Sequence, residues 1–148
     1  MNAKERTQTL TALPSEELVE WKGKIESLGI SEAIHSPALG LVMMRASESV
    51  TGQAFNVGEI LISDSTVMLD GTLGYGVTMG NDADKAYTLA LIDAIYHSDD
   101  AKWDSLKIQL QDWLHVQQGI QLEARKQSFQ QIQRTLVDFE VMDTEQEE

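Results

Sequence analysis

The chain has 148 residues, 24 acidic against 11 basic side chains, a formal charge of -13 and no cysteine. That length suits one domain with its own core, while the charge and the scattered cations (Lys22, Lys24, Arg45, Lys102, Arg125, Arg134) provide no basic stripe for nucleic acid. Lack of thiols removes disulfides, thiolate zinc sites, iron–sulfur clusters and a Cys nucleophile, and no uncharged apolar run reaches membrane-spanning length, so a cytoplasmic protein without a signal peptide is expected.

Pro14, followed by Ser15-Glu16-Glu17, suits a helix start, and Leu18, Trp21, Ile25 and Leu28 recur at helical spacing up to a cap at Gly29. Gly23 weakens that helix by about 1 kcal/mol relative to Ala, so it depends on packing. A helical N-terminal part is expected over 1–36, and Pro37 marks the joint to a sheet over 39–80. Leu41-Val42-Met43-Met44-Arg45 reads as a short buried strand, and 55–69 as a longer one bulged near Gly58. Asp70-Gly71 supplies the two positive-φ positions of a type I′ turn, so Leu69 should pair with Thr72 and Val67 with Gly74. On the returning strand over 72–79, Gly74 and Gly76 leave room for a close neighbour.

Asp82 or Asn81 should cap a helix over 83–97, opened by Gly80. Only Thr88 and Asp93 are polar between Ala86 and Tyr96, so this helix must be covered on two sides. A long helix follows over 101–136, with Trp103, Leu106, Leu110 and Trp113 on one stripe and Gly119 as a place to kink or split. Three apolar helices exceed what one small sheet can cover, so this stripe is assigned equally to the core and to a partner interface. The acidic tail over 143–148 has the composition of a disordered segment. The resulting fold class is α+β: one domain over 1–142, with an antiparallel sheet around a central β-hairpin, flanked by N-terminal helices and a helical C-terminal part over 82–136.

Candidate chemistry is sparse. Gly71, Gly74, Gly76 and Gly80 lack the following Gly-Lys-Ser/Thr of a phosphate loop and fit hairpin geometry better. Asp93 in its apolar helix is a candidate general base if buried, with Glu59 as its acid partner; both are read first as groups paired for structural reasons, with a backbone N–H, an Arg or a partner chain. His35, His97 and His115 form no ligand cluster, no metal is expected, and the serines lack a nucleophile elbow.

The block Gly40-Leu41-Val42-Met43-Met44-Arg45, Thr51-Gly52-Gln53-Ala54-Phe55-Asn56-Val57-Gly58-Glu59, Val67-Met68-Leu69-Asp70-Gly71-Thr72-Leu73-Gly74-Tyr75-Gly76, Gly80-Asn81-Asp82 and Ala90-Leu91-Ile92-Asp93-Ala94 resembles the G subunit (PhnG) of the bacterial carbon–phosphorus lyase system, as does the closing Val137-Asp138-Phe139-Glu140-Val141-Met142. The resemblance implies a subunit of a transferase complex that moves the ribose triphosphate of ATP onto an alkylphosphonate and releases adenine. It also implies two copies of each subunit in the core complex, no complete active site in this chain, no cofactor bound by it, and ATP as substrate of the complex. Substrate or interface residues would be Gly52, Glu59, Asp70, Gly71, Gly74, Tyr75, Gly80, Asp82 and Asp93. The sequence departs from the family pattern at His35, Ala38, Ser49, Val50, Asp64, Ser65, Asn81 and Lys85, losing several cations that would meet phosphate. Two alternatives remain: a self-contained enzyme using Asp93 and Glu59, and a non-enzymatic structural or regulatory interaction module unrelated to nucleotides.

Overall fold

In a computed structural model of the chain, residues 1–133 are described. The expected end of the last helix over 134–136, the segment over 137–142 and the acidic tail over 143–148 lie outside the described residues.

The chain opens with α1 (Ala3–Ala12), an element the sequence reading passed over. Its start is a capping box: the Asn2 side chain accepts from the Glu5 amide, and the Glu5 carboxylate accepts from the Asn2 amide, both at 2.9 Å. Pro14 leads into a 3-10 turn (Ser15–Leu18) and then α2 (Val19–Leu28), which closes at Gly29 as anticipated. Gly29 is needed for space: a Cβ there would lie 2.8 Å from the Trp103 ring.

Three antiparallel strands follow, β1 (Ser31–Ser47), β2 (Ala54–Leu69) and β3 (Thr72–Met79), ordered β1-β2-β3. Asp70 (φ 47°) and Gly71 (φ 85°) make the predicted turn, and Leu69 pairs with Thr72 and Val67 with Gly74. The β1–β2 register shifts between Met44 and Arg45, leaving Val57 as the extra residue beside Gly58.

β1 corrects the expectation of a short buried strand: it begins at Ser31, so the N-terminal helical part ends at Leu28, and Pro37 lies inside the strand. The strand tolerates Pro37 because β1 is an edge strand, and the ladder slips between His35 and Ala38. β3 reaches only as far as Met79, opposite Ile62, so residues 41–47 and 54–61 run on as a two-stranded ribbon.

α3 (Ala83–His97) packs against the sheet on one side and α1, α2 and α4 on the other, which meets the requirement for two-sided cover. The side chains of Ser63, Ser65, Val67 and Leu69 face α3 and are buried. Gly74 and Gly76 let the helix backbone lie directly on β3: a Cβ at either would come within 2.5 Å of an α3 backbone nitrogen, that of Ala94 or Ala90.

After a 3-10 turn (Ala101–Trp103), α4 (Asp104–Gln133) runs without interruption through Gly119, so the anticipated break does not occur. Trp103, Leu106 and Leu110 are buried in the chain's own core, and Trp113 packs against Trp21 with ring centroids 5.4 Å apart. Trp103, Leu106 and Leu110 are therefore core residues and not a free partner surface, while Trp113 stays partly exposed at the margin of the core. The first third of α4 closes over α3 and α2, a step that helical periodicity does not reveal. The surplus apolar surface lies elsewhere: on the ribbon, on the outer sheet face (Leu73, Tyr75, Val77, Met79) and on α4 from Val116 onward (Val116, Ile120, Leu122, Phe129).

Candidate functional site

Asp70 carries the densest polar contacts near the hairpin. Its carboxylate accepts from the Ile30 amide at 3.0 Å and from the Lys102 ammonium at 2.6 Å, while its own amide donates to the Ile30 carbonyl at 3.1 Å. Hairpin, α2–β1 junction and the start of α4 are thus clipped together at one side chain. The Lys102 hydrogen bond first, then the Ile30 amide, hold the Asp70 carboxyl below its ordinary value.

Asp93 is three-quarters buried, and its carboxylate accepts from the Tyr75 amide at 3.0 Å and meets His97 at 3.3 Å. It covers a backbone donor on the free edge of β3, the structural alternative weighed for it. Glu59 is exposed on the ribbon. Tyr75 pairs with Thr66, and Glu59 lies seven residues further along β2, roughly 23 Å away at strand spacing, so Asp93 and Glu59 do not form an acid–base pair.

Asp82 caps α3 by accepting from the Lys85 amide at 3.0 Å. Ser63, which sequence reasoning missed, ties this corner: its hydroxyl donates to the Gly80 carbonyl and accepts from the Asp82 amide, both at 2.9 Å. Gly80 (φ 85°) and Gly52 (φ 69°) turn the chain, Gly52 at the ribbon tip where its amide donates to the Glu48 carbonyl at 3.0 Å. The expected substrate or interface residues therefore fall into separate clusters: Gly52 and Glu59 on the ribbon, Gly80 and Asp82 at the α3 start, Gly74, Tyr75 and Asp93 along β3, and Asp70 and Gly71 at the turn.

Lys85 was also missed as a structural group. Almost wholly buried, its ammonium donates to the carbonyls of Thr11 at 2.8 Å and Leu13 at 2.6 Å, satisfying the end of α1. Desolvation lowers its pKa, against a smaller opposing pull from Asp82. Lys85 and Arg125 border an open groove of about 550 Å³ with Gln8, Thr78 and Met79. Since Lys85 is engaged by carbonyls, Arg125 is the one cation among the described residues lining the groove that is left to meet an anion.

His35 and Asp64, both departures from the family pattern, meet at 3.3 Å. Ser65 points into the core and donates to the His35 carbonyl, not to its ring, so these three do not make a nucleophilic triad. Among the described residues no three His, Asp or Glu side chains converge as a metal site, and no helix is long and apolar enough to cross a membrane.

The sequence matches the family described as "Phosphonate metabolism protein PhnG" over residues 2–143. A relative from Rhizobium meliloti (strain 1021), named alpha-D-ribose 1-methylphosphonate 5-triphosphate synthase subunit PhnG, is 38% identical over 66 residues, which cover 44% of this chain and 42% of that protein. The alignment thus spans less than half of that relative's length.

Proposed function

Because this chain belongs to the PhnG family of phosphonate metabolism proteins, we propose that it is a non-catalytic subunit of a ribose 1-methylphosphonate 5-triphosphate synthase. With partner subunits, two copies of each, it would serve the transfer of the ribose triphosphate of ATP to an alkylphosphonate with release of adenine in the cytoplasm. The observation that carries this reading is the family match over residues 2–143.

The local chemistry supports a supporting role. Asp70, Asp82 and Asp93 are each engaged in bonds that hold the fold, and Glu59 stands apart from them. A chain at -13 repels both ATP and a phosphonate at long range, which favours partner chains as the main source of the cations that bind them.

The test is an omission assay. Co-expressed phosphonate-utilisation subunits are supplied with ATP and methylphosphonate, and adenine is measured with and without this chain. The reading predicts release only from the complete set, and none from this chain alone. Release by the purified chain, or unchanged release when it is omitted, overturns it.

A further inference from the structure

The ribbon over 41–47 and 54–61 extends beyond β3, and neither of its faces is packed. Leu41, Val42, Met43, Met44, Phe55 and Val57 are all about half exposed, and the two segments carry only Arg45 and Glu59 as charges. Val42 and Met43 are consecutive, so they project to opposite faces: Val42 pairs with Ile60 on one, and on the other Met43 and Leu41 accompany Leu61 and the single carboxylate of Glu59. A near-continuous run such as Leu41-Val42-Met43-Met44 is the pattern of a strand covered on both sides. With Val50 exposed at its tip, the ribbon concentrates exposed large apolar side chains of the kind that mark an interaction site. A two-stranded ribbon in water is at best marginally stable without such cover.

We propose that the ribbon is an arm inserted into an apolar cleft of a different polypeptide, which grips it on both faces and carries Lys and Arg at its rim. A second copy of this chain fits less well. Joining two β1 edges would lengthen the sheet yet leave both ribbon faces wet, and would bring together two chains each at -13. A basic rim on the cleft complements that charge. This inference rests on the subunit reading above and adds the surface and the chemistry of the partner.

The test compares hydrogen exchange of the free chain with that of the co-expressed assembly, and measures assembly of Val42→Glu and Met43→Glu separately. Both positions are about half exposed, so each variant should keep the wild-type circular dichroism and melting temperature. We expect ribbon amides over 41–47 and 54–61 to be protected only in the assembly, and each variant to associate at least about 50-fold more weakly, since Val42→Glu buries a lone charge on its face and Met43→Glu sets a second carboxylate opposite Glu59 on the other. Loss with only one variant overturns two-sided insertion. Protection that rises with the concentration of the free chain points instead to a second copy and overturns the heterologous partner. An assembly that forms while ribbon amides exchange freely overturns the arm alone, whereas failure of wild-type chain to assemble with any of the subunits overturns the subunit reading.

Discussion

Replacing Gly76 with Ala tests how α3 is seated. The new Cβ would sit 2.5 Å from the Ala90 nitrogen and closer still to the Ala86 carbonyl oxygen, against ordinary contact near 3.4 Å. Both obstacles are backbone, so no rotamer relieves them, and α3 must lift from β3 by about 1 Å. A gap of that size forfeits a quarter to a half of the dispersion energy along the interface, and overpacking alone costs about 1–3 kcal/mol. Buried Ala86, Ala90, Leu91 and Ala94 all lie on this helix, so a total near 3–5 kcal/mol follows, a large share of the stability of a single domain. Urea unfolding followed by circular dichroism should show the midpoint falling by more than about 1 M. Gly58→Ala, with nothing within 4 Å of its Cβ, is the control and should change little. A Gly76→Ala unfolding free energy within about 0.5 kcal/mol of wild type would refute direct backbone packing of helix on strand.

Four further outcomes follow from the same contacts. Asp70→Asn should cost about 1–2 kcal/mol near neutral pH by removing the Lys102 ion pair; because the folded carboxyl is held below its unfolded value, the wild-type advantage is complete above about pH 4 and fades as pH falls through the folded value, which melting curves across acid pH would track. Lys85→Met should destabilise by about 1–3 kcal/mol by stranding the Thr11 and Leu13 carbonyls, read by urea unfolding; as the folded ammonium has a lowered pKa, the lysine's own contribution should improve as pH rises towards the unfolded value of 10.5, a slope absent from the variant. Gly119→Ala, in an uninterrupted helix with open space around it, should stabilise by up to about 1 kcal/mol in thermal melts. Asp93→Asn should lower stability by about 1 kcal/mol while leaving adenine release per assembled complex unchanged, and selective loss of turnover would count against a structural Asp93.

The second half of the fold was legible because its signals are local. Asp70-Gly71 admits few turns other than the hairpin, Asp82 caps the next helix, and the apolar run from Ala86 to Tyr96 demands cover on both sides, all of which the structure contains. α1 was not placed as a separate helix because its signal is the Asn2–Glu5 box in a polar segment whose fully buried apolar residues, Leu10 and Leu13, lie near its far end. β1 was read too short because Pro37 resembles a joint, and only the strand's place at the sheet edge explains why it is tolerated. The Trp103 stripe exposed a deeper limit: spacing identifies which face of a helix is buried, but not whether the cover comes from the same chain. The surplus apolar area expected on the helices, at the Trp103 stripe, sits instead on the ribbon, the outer sheet face and the far part of α4. The candidate site was less legible still. Asp70 stood out as a turn residue and by the resemblance, Asp93 as a charge in an apolar helix, and each proves to hold neighbouring backbone, a role fixed by contacts 40 and 18 residues away respectively.

Native mass measurement of the chain co-expressed with the other phosphonate-utilisation subunits tests the central claim most directly. A single stoichiometric species containing this chain is the predicted result. A stable monomer that separates from every candidate partner would contradict it.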